Sequence, residues 1–219
     1  MEQLPGDLRE YEPIQPGGGT DWRGLFRKIW APIAVVLGLA LKFGIVFAKF
    51  ASIFIAVGAY ALIWGWRFGV GVVVLILAHE MGHYIEARRQ GLRPALPVFI
   101  PFFGAYVSLR DARINPWQHA LIALAGPFTG GLAATAVWVV GESDGSRLLQ
   151  ALAYFGFLIN LFNLIPVGFL DGGHIARSFR LLRLGGAPGR AAVIGIAYGG
   201  LAVALAAGMF AAHVAQNRL

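Results

Sequence analysis

Val70-Gly71-Val72-Val73-Val74-Leu75-Ile76-Leu77-Ala78-His79-Glu80-Met81-Gly82-His83 is an apolar run of helix length that ends in H-E-x-x-H. On a helix, residues four apart share a face, so His79 and His83 offer imidazole nitrogens to one metal ion from consecutive turns. Glu80 sits about 100° further round, where a carboxylate reaches a metal-held water without taking a coordination position. Ionisable groups inside a hydrophobic run are expensive and need partners, which argues against mere packing. Residue types and spacing are those of a metallohydrolase.

The rest of the chain sets this run in a membrane. Of its 219 residues, 58% are hydrophobic and mean hydropathy is +0.67, whereas soluble domains are roughly half apolar. Windows 120–140, 148–170 and 191–212 carry no charge, and each has about the 20 residues that cross a bilayer as helix. Window 50–66 is shorter but ends in Trp64 and Trp66, which suit an interfacial aromatic belt. With the H-E-x-x-H run these give an all-α polytopic membrane protein of five or six transmembrane helices. The segment 94–110 is broken by Pro94, Pro97 and Pro101 and rich in Val, Ile, Phe and Tyr. It reads as short strands or a re-entrant loop, which survives at membrane depth only against protein or a wet cavity and so belongs near the metal site.

Three regions follow. Residues 1–22 are polar, broken by prolines and Gly17-Gly18-Gly19, and read as a disordered N-terminal tail rather than a signal peptide. Residues 23–49 carry Lys28, Lys42 and Lys49 in multiples of seven, along one stripe. This favours an amphipathic interfacial helix, with an extra transmembrane helix bearing snorkelling lysines as the alternative. Residues 50–219 read as one transmembrane domain built around the H-E-x-x-H run.

The net charge of +7 does not indicate a nucleic-acid partner, because the basic residues flank apolar spans. Arg88, Arg89 and Arg93 follow the His run, and Arg110, Arg113, Arg177, Arg180, Arg183 and Arg190 fall at the same end. Under the positive-inside rule that end, with the site, is cytoplasmic. The chain has no cysteine, which excludes disulfides and thiolate zinc.

Catalytic zinc usually takes three protein ligands and a water. Among later carboxylates, Glu86 points past the metal, Asp111 lies in a basic loop, and Glu142 and Asp144 lie across the membrane. Asp171 remains, at the same end as His79 and His83. Gly141-Glu142-Ser143-Asp144-Gly145 matches the G-x-S-x-G nucleophile elbow, but it joins two apolar spans instead of a strand and a helix, so it reads as a turn.

Asp171 lies in Asn163-Leu164-Ile165-Pro166-Val167-Gly168-Phe169-Leu170-Asp171-Gly172-Gly173. H-E-M-G-H on one span followed by N-x-x-P-x-x-x-L-D-G-G on a later one resembles the site-2 protease family of intramembrane metalloproteases, over roughly residues 68–185. The resemblance implies one zinc ion held by His79, His83 and Asp171, with Glu80 as general base. It also implies membrane protein substrates cut in or near a transmembrane helix, as in regulated intramembrane proteolysis. No PDZ or nucleotide-binding module fits after His83, so the chain resembles a minimal member. The family suggests Asn163 as a polar group near the scissile bond, and Asn160, one turn earlier, is the second choice. His174 is read as an interfacial histidine with a possible contact to Asp171, and His119 and His213 as structural. The rival is a non-catalytic metal-dependent binder or a transporter, but no internal repeat of the transporter kind is present.

Overall fold

The computed structural model describes residues 22–100, 104–106 and 114–216. In chain order these form α1 (Trp22–Trp64), α2 (Trp66–Arg89), β1 (Val98–Ile100), β2 (Gly104–Tyr106), α3 (Pro116–Asp144), α4 (Arg147–Asn163), α5 (Asp171–Leu184) and α6 (Pro188–Gln216). The chain divides into two units, residues 1–46 and 47–219. In the first, Trp22–Gly44 is helical, long and apolar enough to cross a membrane, and Lys28 and Lys42 are exposed on it. The tail at 1–21 lies outside the described residues.

In the second unit α2, α3 and α6 are long and apolar enough to cross a membrane, and Ala51–Trp64 is a shorter apolar helix. Where the sequence suggests five or six crossings, these three and Trp22–Gly44 have the required length. The difference lies in Ala51–Trp64 and in α4, whose 17 residues extend about 26 Å at 1.5 Å per residue, short of a hydrocarbon core of roughly 30 Å. The apolar run that the sequence carries on to Leu170 is cut at Asn163. Pro166 has no N–H to donate and disfavours helical backbone in the residue before it, so the helix stops within a turn of it.

Small residues set the spacing of the helices, as expected where lipid gives apolar side chains no reason to leave it. One core joins Ala56 and Tyr60 to Val72, Leu75 and Ile76 of α2 and Leu152 of α4. A larger one joins Ala123 and Ala134 of α3, Phe157 of α4, Ile175 of α5 and Ile194 and Leu205 of α6. β1 and β2 pair antiparallel with Phe99 opposite Ala105, and β2 lies against α2. Short strands were one of the two readings of 94–110; residues 101–103 and 107–113 lie outside the described residues.

The helix ends follow local rules. Asn115 and Gln118 form a capping box, with Asn115 Oδ1 accepting from the Gln118 N–H at 2.9 Å and Gln118 Oε1 from the Asn115 N–H at 3.3 Å. Pro116 takes the first helical position, where no N–H is needed. At the other end the G-x-S-x-G stretch is a helix terminus, as its setting predicted. Gly145 caps it at φ 62°, and the Ser143 hydroxyl donates to Val140 O at 2.9 Å.

Between α4 and α5 the chain makes a tight loop that aims Asp171. Gly168 takes φ 52° there, and Tyr198 Oη of α6 donates to Leu164 O at 2.6 Å. The first turn of α5 then folds onto the loop so closely that a Cβ on Gly172 would meet the Leu164 carbonyl, and one on Gly173 the backbone of Val167 and Gly168. The double glycine of L-D-G-G is a steric requirement, because backbone cannot yield as a side chain can. Gly172→Ala is expected to destabilise the fold by about 1–3 kcal/mol, seen as a lower thermal midpoint in detergent. Gly199→Ala, with nothing within 4 Å of the added carbon, should leave the midpoint unchanged or raise it slightly.

Candidate metal centre

Two helices supply the three candidate ligands. His79 and His83 project from successive turns of α2, and Asp171 opens α5. His79 Nε2 lies 3.2 Å from Asp171 Oδ2, His83 Nε2 lies 3.3 Å from Asp171 Oδ1, and the two Nε2 atoms are 3.1 Å apart. The three are the metal-ligating cluster found among the described residues. Glu80, next to His79 on α2, is buried.

The outer nitrogens explain why the inner ones converge. His79 Nδ1 donates to Asn160 Oδ1 at 2.8 Å, and His83 Nδ1 donates to Ile122 O at 2.7 Å. A neutral imidazole has one N–H, so both rings turn a lone pair inwards. Asp171 adds carboxylate oxygens. Its Oδ2 is buried and accepts no hydrogen bond among the described residues, although His79 Nε2 is close, because the His79 proton is on the other side of the ring. A tetrahedron around zinc, with bonds of about 2.0–2.1 Å to nitrogen and oxygen, has edges of roughly 3.3–3.4 Å. The 3.1 Å between the two Nε2 atoms, an Asp171 oxygen within 3.2–3.3 Å of each nitrogen (Oδ2 for His79, Oδ1 for His83), and the inward lone pairs suit such an ion.

Glycines on α3 make room for this arrangement. A Cβ on Gly126 would run into the His83 ring, one on Gly130 into the Asn160 carboxamide, and one on Gly82 of α2 into Ala125 O. Gly126 and Gly130 are a small-xxx-small step whose packing partners are the site residues themselves.

Of the two asparagines, it is Asn160 that meets the metal-ligating cluster. Asn163 Nδ2 donates to Ile159 O of its own helix at 3.2 Å. Asn160, almost wholly buried at 1% exposure, holds His79 and in turn donates to Gly156 O at 2.7 Å. Its position in an apolar span, one turn before Asn163, was the available signal. Of the other histidines, His119 and His174 pack ring against ring, and His213 packs near Tyr154.

Asn160 therefore acts through His79 as a positioning residue. Asn160→Ala is expected to weaken zinc affinity about 10- to 100-fold, measured by chelator competition. Asn160→Asp, which keeps an acceptor for His79 Nδ1, should recover much of it.

Sequence comparison agrees with this geometry. The chain is 35% identical over 161 residues to Rip3 of Mycobacterium tuberculosis, covering 68% of this chain and 40% of Rip3. It is 29% identical over 160 residues to sll0528 of Synechocystis, covering 62% and 42%, and 25% identical over 150 residues to zinc metalloprotease MJ0392 of Methanocaldococcus jannaschii, covering 65% and 43%. It spans about two fifths of the length of these relatives. The profile of peptidase family M50 matches residues 67–145 and 139–207, a region holding both histidines, Glu80, Asn160 and Asp171. By that match over more than half of its length, the chain belongs to peptidase family M50, the site-2 protease family.

Proposed function

We propose that this chain is an intramembrane zinc metalloprotease that hydrolyses peptide bonds in or next to transmembrane segments of membrane protein substrates. The observation that carries the reading is the convergence of two imidazole lone pairs, from a helix long and apolar enough to cross a membrane, on the Asp171 carboxylate of α5, with buried Glu80 alongside. The relatives named above support it, since zinc metalloprotease stands in the name of each. His79, His83 and Asp171 would hold zinc, whose chemistry when bound is to polarise a carbonyl and lower the pKa of water towards about 7.

Each remaining step falls to a residue of this chain. Glu80 takes the proton of the attacking water and delivers it to the leaving amine. Asn160 and the Ile122 carbonyl keep the rings from turning their N–H groups into the site. A helical substrate must unwind first, because its carbonyls are already bonded. The hairpin of β1 and β2, close to α2, is suited to hold the unwound stretch by strand addition. Arg88 and Arg89 in the last turn of α2 favour a site facing the cytoplasm.

Glu80→Gln tests the reading. The variant should keep its zinc while cleavage of a co-expressed membrane substrate falls about 10²–10⁴-fold, the usual contribution of a positioned general base. Undiminished cleavage would defeat the assignment, and full zinc occupancy without any wild-type cleavage would favour a non-catalytic metal binder.

A further inference from the structure

A second histidine pair lies outside the metal centre. His119 comes from the first turn of α3 and His174 from the first turn of α5. Their rings meet edge to face, with centroids 4.9 Å apart and planes at 78°. The pair formed by His79 and His83 has centroids 4.8 Å apart and planes at 78°. The likeness extends to the outer nitrogen, since His119 Nδ1 stands 3.3 Å from the hydroxyl of buried Ser178, much as His79 Nδ1 stands against Asn160. A serine hydroxyl accepts as well as donates, so it admits the tautomer with the His119 proton on Nδ1 and the lone pair on Nε2, on the other side of the ring.

We propose that His119 and His174 form a second site for a transition-metal dication of the zinc class, with water completing the coordination shell. Neutral imidazole suits such ions, and two rings held at the spacing of an established type of clamp lose little freedom on binding. Affinity is set below that of the first centre for two reasons. Among the described residues no carboxylate joins the pair, and Arg177, exposed on α5 three positions after His174, opposes a dication. An ion here ties α3 to α5 one turn from Asp171, so it clips together the elements that shape the first centre. The second site does not require that the chain cut peptides.

The test counts metal. The full chain, purified in detergent and stripped with chelator, is dialysed against a molar excess of zinc, washed by gel filtration at that zinc concentration, and analysed by plasma mass spectrometry. Wild type should hold two equivalents and His119→Asn/His174→Asn one. One equivalent in both, or two in both, overturns the proposal. One in wild type and none in the variant would instead mean that the second site binds and the first does not, which counts against the proposed function alone. A measurement on wild type guards against a variant that fails to fold: zinc should protect His119 and His174 from modification by diethylpyrocarbonate, read by peptide mass spectrometry. Modification at both positions unchanged by zinc overturns the proposal.

Discussion

Lone pairs brought within about 3 Å of one another in an apolar interior repel, and His79, His83 and Asp171 present such pairs to a common point. Only a positive charge at that point makes the arrangement favourable, which is why imidazole and carboxylate are costly anywhere else at this depth. The surrounding structure keeps these groups from relaxing apart. Asn160 and the Ile122 carbonyl fix two ring orientations from outside, and the loop before α5 fixes the carboxylate.

Those supports come from α3, α4 and the loop before α5, so helix packing and the candidate metal centre share the same contacts. Gly126 and Gly130 let α3 approach until the His83 ring and the Asn160 amide occupy the space over its backbone. Gly172 does the same for the turn that carries Asp171. Bulkier, greasier residues at these positions would hold the helices further apart and separate the three ligands, even though the bundle would lose no apolar surface to water. The short α4 serves the same end: it stops at Asn163 so that the chain can turn back and deliver Asp171.

Much of this was legible in the sequence because it rests on local rules. The four-residue spacing of His79 and His83 has one consequence on a helix, and the charge bias put Asp171 at the same end. Family membership followed from the two motifs read together. What escaped was set by rotation and depth. Asn160 and Asn163 are one turn apart and chemically identical, and only the angle at which α4 meets α2 and α3 decides which one faces His79. The number of long spans depended on where Pro166 would cut an unbroken apolar run. The nearness of His119 to His174 depended on the packing of α5 against α3, which no spacing along the chain encodes.

The Gly126 contact makes His83, a candidate metal ligand, a spacer as well. The His83 ring stands where the smallest chiral side chain on residue 126 would lie, so the separation of α2 and α3 at that level is set by the thickness of an imidazole. Selection for assembly alone, with no demand for turnover, would therefore still act on position 126. The reverse also holds: a chain that traded His83 for alanine would open a void against Gly126 and loosen the helix pair. Loss of activity in such a variant would then mix a chemical cause with a mechanical one, and replacements close to the shape of imidazole separate the two better than truncation does.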